Sequence, residues 1–135
     1  MIAIVCVDDM NGMIFNHRRQ SQDVNVRQYI LNICKDKVLW MSPYSAKQFG
    51  ENVNCNNSED YLLEAAPGEY CFDEDQPLLP YEKYIEQIVI FKWNRVYPSD
   101  MKFDIPLDEH NWKCISTDEF PGKSHKKISV EVYEK

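Results

Sequence analysis

Ile2 to Val7 is an almost unbroken apolar run closed by Asp8-Asp9. Strands buried on both faces have this pattern, and such strands are usually parallel. Asp8 to Gly12 punctuates the chain, and His17 to Gln22 reads as a polar loop. Asp23 is placed as a helix N-cap; Val26, Tyr29, Ile30 and Ile33 then recur at helical spacing as far as Lys35. Lys37 to Met41 predicts a second buried strand. Ser42-Pro43 opens a helix over Tyr44 to Phe49 that Gly50 stops, proline suiting a first turn. Glu51 to Ser58, rich in asparagine, is either a loop or a weak edge strand. Ser58-Glu59-Asp60 caps a short helix over Tyr61 to Ala66, ended by Pro67-Gly68. Glu69 to Phe72 is a third strand, closed by Asp73-Glu74-Asp75, and Pro77 to Tyr84 a short helix.

The pattern then changes. Ile85 to Tyr97 holds a long β-rich run, and Trp112 to Ser116 is a further strand. Ile128 to Tyr133 alternates apolar and polar, as a half-exposed strand does. Nothing of helical length and period separates these late strands. The expected fold is therefore α/β over a single domain, 1–135: β-α-β-α first, then an antiparallel meander.

The chain is 44% apolar and 13% aromatic, which excludes a disordered polymer. Lysine and arginine number 15 against 22 acids, a net charge of -7 that argues against nucleic acid as a partner. No run reaches the roughly 18 apolar residues of a membrane span. Five cysteines without C-x-x-C spacing point to reduced thiols in a cytoplasmic protein, with Cys6, Cys71 and Cys114 as small core residues. His17, His110 and His125 are expected on the surface. Lys123, His125, Lys126 and Lys127 form a basic cluster at a hairpin tip, where an acidic partner could meet it.

The order of elements resembles the dihydrofolate reductase family, whose mostly parallel sheet is closed by an antiparallel C-terminal hairpin in a three-layer fold. Ile4-Val5-Cys6-Val7 with Asn11-Gly12 is similar to the family's first strand and its Asn-Gly turn. Asp23 to Ile33 resembles the first helix, with Tyr29 where an aromatic is usual. Lys37-Val38-Leu39-Trp40-Met41-Ser42 resembles the strand leading to Met-Gly-Arg-x-Thr, and Ser99-Asp100-Met101-Lys102-Phe103 resembles Gly-Asp-Thr-x-Phe-Pro.

The departures fall on the family's ligand groups. Its Gly-Gly turn under the NADPH pyrophosphate reads here Asp73-Glu74-Asp75, where carboxylates would repel the ligand. Its Arg-x-Thr clamp reads Pro43-Tyr44-Ser45, and its Leu-Pro-Trp loop reads Arg19-Gln20-Ser21. The pterin carboxylate falls at Asn25, or at Val26 if the gap lies elsewhere, with Asp23 the nearest acid. The expectation is a degenerate member of the family, suited to a phage genome. It would be catalytically inactive, bind no cofactor and act as an inhibitor, adaptor or structural module on another protein, through Asp8, Asp9, Asp73, Glu74 and Asp75. Ile14, Tyr44, Phe91 and Met101 would fill the former ligand cleft. The alternative is a divergent NADPH-dependent reductase using Asp23 or Asn25 on the pterin and Ser45 on phosphate. A third reading is a divalent-cation domain with Asp8, Asp9, Asp73 and Asp75 as oxygen ligands at strand ends.

Overall fold

The computed structural model describes residues 1–51 and 53–135. Strand β1 (Ile2–Val7) lies in the middle of a seven-stranded sheet of order β5-β4-β6-β1-β7-β10-β9. The others are β4 (Leu39–Met41), β5 (Asn56–Asn57), β6 (Tyr70–Phe72), β7 (Gln87–Lys92), β9 (Lys113–Phe120) and β10 (Ile128–Glu134). β1 pairs in parallel with β6 and β7, and β4 in parallel with β5 and β6. β10 then runs antiparallel to both β7 and β9. A mostly parallel sheet with an antiparallel carboxy-terminal part is the architecture expected from the apolar pattern.

The parallel strands β1, β4, β6 and β7 are mostly apolar because both faces are covered. Ala3, Val5, Cys71, Ile88 and Ile90 join one apolar layer with Tyr61, Leu78 and Trp112. Ile4, Phe72, Val89 and Phe91 join the opposite layer with Val26 and Ile30 of helix α1 (Val24–Ile33). Burying side chains of this size is worth roughly 1.5–3 kcal/mol each. Helix α2 (Pro43–Phe49) follows β4, capped by Ser42, whose Oγ accepts from the Ser45 N–H. A four-residue helix α3 (Tyr61–Glu64) and a 3₁₀ segment (Leu79–Tyr84) complete the crossovers.

Several elements differ from the expectation. The segment Glu51 to Ser58 does contain a strand, but only Asn56–Asn57, held as an edge by β4. The residues after β1 form a second sheet that apolar periodicity does not reveal: β2 (Gly12–Phe15) pairs with β3 (Arg18–Arg19) and with β8 (Met101–Lys102). The hairpin turn uses Asn16 and His17 at positive φ, 50° and 62°, without glycine. Strand β9 extends to Phe120 yet is exposed along nearly its whole length, Cys114 included, so that thiol is no core residue.

Gly12, at the start of β2, packs closely against Ser99 and Gln20. A Cβ there would sit 2.6 Å from Ser99 Cβ and 2.6 Å from Gln20 Nε2. Gly12→Ala is expected to lower stability by about 1–3 kcal/mol, the usual cost of overpacking. A denaturant melt unchanged from wild type would show that the turn simply gives way.

Candidate functional site

Open α/β sheets place their binding groups outside the carboxyl ends of the strands. Asp8, Asp73 and Glu74 stand there in this chain and turn inward, and Asp23 at the start of α1 is buried with them.

Asp8 ends β1. It is 2% exposed and accepts hydrogen bonds from the backbone N–H groups of Met10, Gly12 and Tyr97 and from Gln20 Nε2. Burial favours its neutral form, but these donors outweigh burial and hold the carboxyl below its ordinary range. The acid is thus the pin of the β1–β2 turn, and Asp9 beside it is exposed.

Asp73 and Glu74 end β6. Asp73 is fully buried; its Oδ1 accepts from Tyr61 OH and from the Gln76 N–H, while Oδ2 finds no partner. Burial raises the Asp73 carboxyl to about 7, against the lowering by those donors. Glu74 is 8% exposed and forms an ion pair with Arg19 from β3: Arg19 Nε to Oε2 at 2.9 Å and Nη2 to Oε1 at 3.1 Å. Ser45 Oγ and Gln48 Nε2 of α2 also donate to Glu74 Oε1, at 2.7 and 3.1 Å. The Arg19 guanidinium lies 4.3 Å from the centre of the Tyr44 ring. This cluster fills the space between β4, β6 and the β2–β3 hairpin with the chain's own side chains.

Asp23 caps α1 and is the most heavily bonded acid of the site. Oδ1 accepts from the N–H groups of Asn25 and Lys123; Oδ2 accepts from the Ser124 N–H, Ser124 Oγ and His125 Nδ1. Burial pushes its carboxyl up, but the His125 bond and the backbone donors hold it far below the ordinary range. His125 is buried rather than on the surface, as expected from its polar neighbours. The reason is that its ring stacks on Trp93, centres 4.8 Å apart, and bonds on both nitrogens. Nε2 meets Ser21 Oγ at 2.9 Å and Tyr97 OH at 3.0 Å. The order Ser21–His125–Asp23 is that of a nucleophile triad. However, Tyr97 shares Nε2, and Ser21 does not line the cavity beside His125. Asn25 is also committed, its Nδ2 donating to the Pro121 carbonyl at 3.1 Å.

Of the residues expected to meet a partner, Asp8, Asp73 and Glu74 are buried, Asp75 is half-buried and Asp9 is exposed. Among the described residues, no three acids, histidines or cysteines converge as a metal's ligands would, so Asp8 and Asp9 form no ligand set with Asp73 and Asp75. Ser45 faces Glu74 rather than open space, and Asp23 and Asn25 face the β9–β10 turn. Ile14 and Phe91 are buried, as expected of cleft-filling residues; Tyr44 and Met101 are half-buried. Sequence reasoning missed Arg19 and His125. Arg19 sat in a segment read as loop, and no local pattern ties it to Glu74 far along the chain.

No family model matches the chain. No curated protein matches it either. Among solved structures, the chain is similar to dihydrofolate reductase from Enterococcus faecalis complexed with NADP(H) and RAB-propyl. The likeness covers 98% of this chain and 94% of that one, at TM-score 0.70 and 10% sequence identity. The chain thus has the dihydrofolate reductase fold.

The two buried acids make opposite contributions to stability with pH. Asp23 is held low, so its contribution is full above the unfolded value near 4 and is lost as pH falls below it. Asp73 is held high: the folded state keeps its proton up to about 7, while the unfolded chain releases it near 4. Wild-type stability from Asp73 therefore declines as pH rises from about 4 to about 7. Asp73→Asn is expected to gain on wild type progressively across that window, by a few kcal/mol at most. A stability difference that stays flat from acid to neutral pH would contradict it. Asp23→Asn is expected to cost about 1–3 kcal/mol at neutral pH, because an amide nitrogen cannot accept and leaves buried donors unsatisfied.

Proposed function

We propose that the chain is not a reductase in the manner of the family whose fold it shares, and that it works by contact with another protein. The observation that carries this reading is the Arg19–Glu74 pair at the end of β6. In the resemblance described above, that strand end carries a Gly-Gly turn whose backbone amides hold a pyrophosphate, and glycine is needed there for close approach. Here the position holds a buried carboxylate already satisfied by Arg19, Ser45 and Gln48. A pyrophosphate would have to displace the arginine and face the acid, a cost of several kcal/mol at an effective dielectric of about 20.

The pterin side supports the same reading. Asp23 spends both oxygens on α1 and on the turn between β9 and β10, and Asn25 spends its amide on Pro121. Neither is free to exchange a proton with a substrate ring, which requires hydrogen-bond reach to it. The accessible surface at this end of the molecule is instead apolar with scattered charge. Met10 and Val96 are 58% and 66% exposed, on two turns joined by a bond from the Asp9 N–H to the Arg95 carbonyl. Exposed apolar residues that gather at one end suit a protein contact.

Titrating NADPH into the protein while following tryptophan emission tests this directly. The expected result is no saturable change at micromolar cofactor and no oxidation of NADPH when dihydrofolate is added. Glu74→Gly removes the acid and the partner of Arg19, yet NADPH is expected to stay unoxidised with dihydrofolate, because Asp23 and Asn25 remain committed to the β9–β10 turn. Dihydrofolate-dependent NADPH oxidation by the unmodified protein would overturn the reading.

A further inference from the structure

The basic stretch between β9 and β10 is bound into the structure through its backbone, Ser124 and His125. Lys123, Lys126 and Lys127 project from it and are exposed, as is Arg95 on the turn after β7. Between the two turns lies a cavity of about 600 Å³, lined by Trp93, Asn94, Arg95 and residues 124–127. Trp93 and His125 give it an aromatic wall. Arg95, Lys126 and Lys127 give it a cationic lining on a chain of net charge -7.

The cavity is held open by bonds on every side. His125 is tied to Asp23, Ser21 and Tyr97. Asn94 Nδ2 donates to the Lys127 carbonyl and to Ser129 Oγ, locking the two turns together. The Trp93 N–H donates to the Val7 carbonyl. A preformed site avoids the ordering cost that weakens binding by mobile loops.

The acids nearby leave the cations available. Asp23 is buried and fully bonded. Glu119 meets Lys127 at 3.5 Å, with both side chains more than half exposed, an ion pair that contributes little. Asp9 is tied by its backbone to Arg95, but no carboxylate among the described residues forms an ion pair with Arg95 or Lys126. Free cations around an aromatic-walled cavity complement a chain segment carrying carboxylates and one apolar side chain.

We propose that this cavity docks an acidic peptide segment of a partner protein. Its carboxylates meet Arg95, Lys126 and Lys127, and one apolar side chain packs against Trp93 and His125. The proposal rests on the protein-contact reading above and names the chemistry of the partner.

The test is fluorescence polarisation with a dye-labelled peptide of glutamate and aspartate around a single phenylalanine. Two companions replace the phenylalanine with serine, or every acid with lysine. The first peptide is expected to bind saturably, and the double variant Lys126→Glu, Lys127→Glu to bind it about tenfold or more weakly. Both lysines are exposed, so the variant is expected to melt like wild type, and Arg95→Glu gives an independent second variant. Failure of the first peptide to saturate, equal binding of the serine or lysine peptide, or undiminished binding by both variants would overturn the proposal. The NADPH titration on the same sample separates the outcomes, since reductase activity would sink the broader reading whatever the peptides do.

Discussion

One carboxylate joins the two halves of this molecule. Asp23 caps the first helix, whose axis lies under the parallel strands, and takes three N–H or O–H donors and an imidazole from residues a hundred positions later. Hydrogen bonds to a charged acceptor are worth about 1.5–3 kcal/mol each, and an unpaired buried carboxylate would cost more than that. The β9–β10 turn is therefore set by the helix, the imidazole by the turn, and the Trp93 ring by the imidazole. Gly122 is required at this junction: a Cβ there would stand 2.7 Å from Asp23 Oδ2 and 2.7 Å from the His125 carbonyl.

The same rule governs the strand ends. In an open α/β sheet the carboxyl ends are where unsatisfied groups usually await a ligand. Here Asp8, Asp23 and Glu74 are each satisfied by donors from their own chain. Asp73 is the exception: one oxygen is bonded, the other bare, and the carboxyl keeps its proton to about 7. That residue costs stability at neutral pH, and it lies against Tyr61 in the core, away from solvent.

Much of the sheet was legible in the sequence. Unbroken apolar runs mark β1, β4 and β7, and alternation marks β10, because one or two faces of each are buried. The β2–β3–β8 sheet was not, since strands of two to four residues carry no measurable period. The position of five acids at strand ends was legible too, but sequence could not show which way they point. Direction depends on donors far away in the chain: Arg19 for Glu74, Tyr97 for Asp8, and Ser124 with His125 for Asp23. His125 illustrates the same limit. Its neighbours Lys123, Ser124, Lys126 and Lys127 are all exposed, and only the tertiary contact with Asp23 and Trp93 buries it.

The central claim is that the strand-end acids serve the fold and not a ligand. Carbon-detected NMR titration of the aspartate and glutamate carboxyls measures this residue by residue. The account predicts that Asp23 resists protonation until well below the ordinary carboxylate range, that Asp73 titrates near 7, and that neither curve moves when NADPH is added. Two acids titrating together near 4, with resonances displaced by the cofactor, would contradict it.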